Sequence, residues 1–151
     1  MNQKMSQRGF TLIELVVVIT ILGILAAFAI PRFASMEVQA RTAAVQGLAG
    51  SLRSGAALAH AVWLAQGNPA STSITMEGQT ITMSNGYPNA ATVERTIVDI
   101  TGFVATNSGG NRRFTKTSPG NTPIANCYVT YQPAPANGAP SVTLGPANGC
   151  N

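Results

Sequence analysis

The sequence predicts an α+β fold, a long N-terminal helix whose second half packs on an antiparallel β-sheet. Three patterns carry that prediction. Leu15 to Ile30 is an apolar run without a single charge, Arg32 to about Ala65 continues with helical periodicity, and the C-terminal half holds short stretches that alternate apolar and polar residues. The chain has 151 residues, enough for one modest domain plus an N-terminal segment rather than two sizeable cores.

Phe10 to Ile30 is the apolar element. As a helix its 21 residues would be about 31 Å long, which matches the hydrocarbon core of a bilayer. Lys4 and Arg8 precede it and would hold that end in the cytoplasm, placing the rest of the chain outside. Glu14 is anomalous here, because a charge near the bilayer centre costs about 2.5–3.5 kcal/mol even on insertion scales. Three readings of the segment compete: a secretory signal cut after Ala27-Phe28-Ala29, a permanent anchor, and a segment trimmed only at its start. The first would leave Pro31 second in the mature chain, and neither of the first two gives Glu14 a purpose.

The second helical half places Gln39, Thr42, Gln46, Arg53 and His60 on one polar strip. Phe33, Ala40, Ala44, Leu48, Leu52, Leu58 and Val62 occupy the opposite arc, and Gly67-Asn68-Pro69 is the stop signal. Glu37 and Arg41 interrupt the apolar arc; they either pair with each other or face neighbouring copies. Gly47, Gly50 and Gly55 each weaken an isolated helix by about 1 kcal/mol, so close approach by another element is expected at all three. His60, the one histidine, has no ligand partner at helical spacing and reads as a polar-strip residue.

Ile74 to Met83 alternates about a central Gly78 and predicts a hairpin, followed by a turn at Asn85-Gly86-Tyr87-Pro88. Thr92 to Ile100 is left open between a short helix and a strand. Ile124 to Gln132 is the clearest strand, with Cys127, Val129 and Tyr131 on one face, and Ser141 to Leu144 is the last. Two cysteines, Cys127 and Cys150, with no CxxC and an export-like start, predict one disulfide closing a Pro/Asn/Gly-rich loop, a reduced cytosolic pair being the plain alternative.

Composition narrows the function classes. Removing residues 1–9 takes Lys4 and Arg8 from a formal charge of +4, leaving +2, a weak footprint for nucleic acid. Arg112, Arg113 and Lys116 form the one basic cluster, either a DNA contact or a solvated strand face. One histidine and five acidic residues assemble no nucleophile, base and orienter, and no acidic cluster suits calcium, so neither an enzyme nor a cofactor is expected.

Gly9 followed by Phe10-Thr11-Leu12-Ile13-Glu14-Leu15 resembles the class III leader junction of type IV pilins and of the related pseudopilins of type II secretion. Beyond Pro31, the helix and the Asn85-Gly86-Tyr87-Pro88 region look most like the mannose-sensitive haemagglutinin type. The resemblance implies that residues 1–9 are a leader, 10–30 a membrane and assembly helix, 31–66 an amphipathic half, and 67–151 a β-rich part with a disulfide loop over 127–150. It further implies that a prepilin peptidase cuts between Gly9 and Phe10, that the Phe10 amine is methylated, and that Glu14 pairs with the Phe10 amine of a neighbouring copy. Gly23 and Pro31 would bracket a stretch able to unwind in a filament; a static kink is the plain alternative. The expected function is the structural subunit of a filament for adhesion or motility, with the inner membrane, assembly machinery and a surface or host receptor as partners. Alternatives are a pseudopilin or minor pilin, and a soluble periplasmic module released after Ala29.

Overall fold

A computed structural model describes residues 9–67, 72–146 and 149–151. Asn68 and Pro69 of the expected stop signal, and the leader positions before Gly9, lie outside the described residues. The elements are helix α1 (Leu12–Ala65), strands β1 (Ser73–Met76), β2 (Gln79–Ser84) and β3 (Tyr87–Pro88), a 3-10 helix at Val93–Thr96, and strands β4 (Phe103–Ser108), β5 (Asn111–Thr117), β6 (Pro123–Gln132) and β7 (Ser141–Leu144). The chain forms two compact units, Met1–Glu37 and Val38–Asn151.

Within the first unit α1 is helical throughout, including at Gly23 and Pro31. Every large apolar side chain from Phe10 to Ile30 is exposed. This helix is long and apolar enough to cross a membrane.

The second unit holds two sheets where one was expected. β1-β2-β3 and β4-β5-β6-β7 are both antiparallel throughout. The β1–β2 hairpin turns at Glu77-Gly78, both at positive φ, and brings Met76 opposite Gln79. Asn85 and Gly86, again at positive φ, make the next turn, but Tyr87 and Pro88 go on as β3 paired with Ser84 and Met83. The open segment Thr92 to Ile100 resolves as a 3-10 turn without a strand.

Alternation places Cys127, Val129 and Tyr131 on the inner face of β6, all fully buried, as expected. They meet Val45, Leu48, Ala49, Leu52 and Ala56 of α1, together with Val93, Phe114 and Cys150, in the main core. A second cluster gathers Ala59, Ile74, Ile81 and Met83, with Val62, Trp63 and Met76 packed on it. Leu48 and Leu52 of the expected arc lie in the main core and Val62 packs on the second cluster, but the buried stripe is rotated from that arc so that it centres on Leu52 and takes in Val45, Ala49 and Ala56. Leu58 lies about 120° around the helix from Leu52 and is exposed, as are Phe33 and Ala40. Thr42 and His60, assigned to the solvated strip, are half-buried.

Gly55 explains the rotation. A Cβ there would stand 2.7 Å from the Thr96 carbonyl oxygen and 2.5 Å from its Oγ1, so the 3-10 helix packs directly on the α1 backbone. Gly47 and Gly50 have nothing within 4 Å of a notional Cβ, so the expected close approach is absent at those two.

The β4–β5 hairpin went unread in the sequence. Its Gly109-Gly110 turn has both residues at positive φ and aligns Phe103 to Ser108 with Lys116 to Asn111. The Gly-Gly dipeptide between two short alternating runs is a recognised hairpin signal and could have found it.

Candidate functional site

Two regions carry the residues singled out by the sequence, and they are described separately. In the first, Thr11 precedes the first helical residue and Glu14 stands in the opening turn of α1. The Thr11 backbone N–H donates to Glu14 Oε2 at 2.9 Å and its hydroxyl donates to the same oxygen at 2.8 Å. The Glu14 N–H in turn donates to Thr11 Oγ1 at 3.3 Å. This is a reciprocal capping box, satisfying amide donors that a helix start leaves without partners. Its sequence signal is Thr11-x-x-Glu14, a capping-box pattern that the sequence reading does not contain.

The box changes the physics of Glu14. The carboxylate sits at the positive end of the helix dipole and carries two local hydrogen bonds, which offset part of its desolvation cost. Both bonds fall on Oε2, so Oε1 keeps its lone pairs without a hydrogen bond among the described residues. Phe10, Ile13, Glu14, Val17 and Val18 line a shallow apolar depression of about 420 Å³ beside it. Such a depression suits an apolar residue bearing a cation, since the charge meets Oε1 while the side chain covers hydrocarbon.

The second region is the disulfide loop. Cys127 and Cys150 are bonded, with Cα atoms 4.5 Å apart and a sequence separation of 23. Gly149 makes that closure possible, because a Cβ there would collide with the Asn126 carbonyl. Arg41 reaches from α1 to the Cys150 carbonyl at 3.4 Å, so the tail is tied to the helix by a side chain as well as a disulfide. Arg41 was expected to meet Glu37 or a neighbouring copy; this contact with its own tail was in neither reading.

Cations of the second unit reach back to groups of their own chain. Arg53 donates to the Val142 carbonyl at 2.9 Å and Arg95 to the Thr80 carbonyl at 2.7 Å. In the basic cluster, Arg112 pairs with Glu94 and donates to Asn107 at 2.9 Å, Arg113 lies 4.2 Å over the Tyr128 ring, and Lys116 donates to the Gly102 carbonyl at 3.0 Å. β5 alternation also divides the three, sending Arg112 and Lys116 to the face of buried Phe114 and Arg113 to the other. A phosphate backbone would have to compete with these contacts.

His60 is held by its surroundings. Its Nδ1 is 2.7 Å from the Gly86 carbonyl, its ring stacks on Tyr87 with centroids 4.0 Å apart, and Trp63 follows at 5.8 Å. A three-ring stack thus joins the end of α1 to the β2–β3 turn. Tyr131 donates its hydroxyl to the Pro88 carbonyl at 2.7 Å, and burial, with Tyr87 nearby, pushes its ionisation far up. Asp99 shifts the other way, because the Thr101 hydroxyl and N–H at 2.6 and 2.7 Å stabilise its carboxylate. No group of three potential metal ligands occurs among the described residues.

Residues 4–30 match the family model of the prokaryotic N-terminal methylation motif. The type IV major alpha-pilin of Moraxella bovis is 34% identical over 129 residues, covering 84% of this chain and 79% of that protein. The type IV narrow pilus major component PilA5 of Thermus thermophilus is 51% identical over 55 residues, covering 36% of this chain and 47% of that protein. The type IV major fimbrial protein FimA of Dichelobacter nodosus is 44% identical over 50 residues, with 33% and 32% covered. The match therefore spans about half or less of the latter two relatives and most of the first. No solved structure matches the chain.

Proposed function

The chain belongs to the type IV pilin family, and we propose that its processed form polymerises through the N-terminal helix into an extracellular filament serving adhesion or motility. A prepilin peptidase removes residues 1–9 by cutting between Gly9 and Phe10, and the new Phe10 amine is methylated. Before assembly the protein sits in the inner membrane of a Gram-negative-type envelope, with Phe10 to Ile30 spanning the bilayer. The copies then leave it as a helical homo-oligomer, handled by the pilus assembly machinery, and a surface or host receptor is the partner outside. Gly23 and Pro31 mark the stretch of helix that yields under extension, since a missing Cβ and a missing N–H both weaken it.

The observation that carries this reading is the half-used carboxylate of Glu14. Thr11 occupies Oε2, which leaves Oε1 for the Phe10 amine of a neighbouring copy. An apolar bundle has no axial register of its own, and a single buried polar contact is a well-attested way to impose one.

A substitution separates the two jobs of Glu14. Glu14→Gln keeps a capping-box acceptor and removes the charge. Membrane insertion should be intact and filament yield strongly reduced; filaments at normal yield would defeat the register role. Sequencing the mature N-terminus tests processing, with methylated Phe10 expected and a start at Ile30 refuting it.

A further inference from the structure

The sequence contains three copies of a dipeptide with its own chemistry, Asn85-Gly86, Asn137-Gly138 and Asn148-Gly149; Asn148 lies outside the described residues, so the comparison is between the first two. An Asn followed by Gly is open to attack by the Gly amide nitrogen on the Asn side-chain Cγ, because no Cβ shields that nitrogen. The new C–N bond closes a five-membered imide and the side-chain nitrogen leaves as ammonia. Water then opens the imide at either carbonyl, yielding aspartate or isoaspartate. No oxidant and no enzyme are required.

The fold treats these two dipeptides differently, although Asn85, Asn137 and Gly138 line the same cleft of about 520 Å³ beside His60 and Tyr87. Asn85 is tied down: its Nδ2 donates to the Ala134 carbonyl at 2.8 Å. Gly86 is buried, its carbonyl lies 2.7 Å from His60 Nδ1, and a Cβ there would stand 2.9 Å from the Trp63 ring. For imide closure Asn85 would have to leave Ala134 while Gly86 moved against two aromatic rings. Asn137 is exposed at positive φ, and its side chain has no hydrogen bond among the described residues. Its turn is restrained locally, by the Gly138 N–H donating to the Pro135 carbonyl at 3.1 Å and by the Pro135 ring, whose Cγ would stand 2.7 Å from a Cβ at Gly138 but which belongs to the same surface turn. Opening a short surface turn held by one such bond is a local event that needs no disruption of the core.

We propose that Asn137 is a site of spontaneous deamidation in the folded chain, whereas Asn85 is protected by the stack and by Ala134. The product puts a carboxylate on a cleft wall that otherwise has no Asp, Glu, Lys or Arg, within the uncharged Pro133 to Pro140 stretch. A protein exposed outside the cell for long periods would thus acquire negative surface charge with age. The inference concerns the second unit alone and stands whether or not the chain assembles.

The test is a time course on the full chain in detergent at neutral pH, followed by trypsin and mass spectrometry. Cleavage at Arg53 and Arg95 isolates Asn85-Gly86, and cleavage after Lys116 yields the peptide with Asn137. Fragmentation separates Asn137 from the neighbouring Asn148. Conversion at Asn137, mostly to isoaspartate, should outpace that at Asn85 by at least about tenfold in the folded chain, and the two rates should converge in urea. Asn137→Gln should abolish the signal at that position. Equal rates in the folded chain, faster conversion at Asn85, or an Asn137 that converts only after unfolding would each overturn the proposal.

Discussion

Replacing Gly55 by Ala should destabilise the second unit, while the same change at Gly47 or Gly50 should stabilise it. All three are interior helix positions, where Ala is favoured over Gly by about 1 kcal/mol. At Gly47 and Gly50 the new methyl meets nothing within 4 Å, so most of that gain should be realised. At Gly55 it would meet the Thr96 carbonyl oxygen at 2.7 Å and Oγ1 at 2.5 Å. The hydroxyl can rotate, at the loss of its 2.7 Å bond to the Val93 carbonyl, but the backbone oxygen moves only with the 3-10 helix. That helix carries Val93, fully buried in the main core. Overpacking of this kind costs about 1–3 kcal/mol, which exceeds the propensity gain. Urea unfolding of the full chain in detergent, followed through Trp63, reads the difference, since this one tryptophan packs on the second cluster. The midpoint should fall for Gly55→Ala and rise for the other two. A rise at Gly55 would refute the close approach of the 3-10 helix to α1.

Other expectations follow from the same contacts. Replacing both Cys127 and Cys150 by Ser should lower stability by about 3 kcal/mol in the chain-entropy model for a loop of 23 residues, measured by the same unfolding curves. Leu52→Ala, at a fully buried position, should cost about 2–5 kcal/mol, and a negligible shift would contradict the placement of the core stripe. Asp99 has a lowered pKa in the folded chain, so its stabilising contribution is complete above the ordinary carboxylate range near about pH 4 and is lost as pH falls through the lower folded value. Asp99→Asn should therefore flatten the acid limb of stability against pH, and an unchanged limb would remove the Thr101 contacts as its cause. DNA binding should be weak at low ionic strength and not specifically lost in Arg113→Ala, as gel shifts would register, because that guanidinium is already stacked on Tyr128.

Legibility followed the range of the interactions. The membrane-length helix was plain because hydropathy and charge act along a contiguous segment, and β6 was plain because alternation survives wherever one strand face is buried. Cys127 and Cys150 needed only a count and a compartment. The capping box lies within four residues and is equally local, since Thr11 and Glu14 satisfy each other across a single helical turn. The β4–β5 hairpin was harder to see, since Arg112, Arg113 and Lys116 disguise a strand whose long side chains reach back to Glu94, Tyr128 and Gly102.

By itself the sequence determined the first unit, the α+β class, the strand that centres the larger sheet and the disulfide, because each is written in neighbouring residues or in a count. Tertiary structure decided how the buried stripe of α1 is centred, beyond the Leu48 and Leu52 that the sequence placed on it. A helix presents several nearly equivalent apolar arcs, and the choice among them depends on what arrives from far along the chain. Here Thr96 arrives at Gly55, Ala49, Ala56 and Ala59 join Leu48 and Leu52 on the inside, and Leu58 is left exposed. The same dependence on distant partners sends Arg53 to the Val142 carbonyl and Arg41 to that of Cys150, and gives the Asn-Gly dipeptides at Asn85 and Asn137 different surroundings.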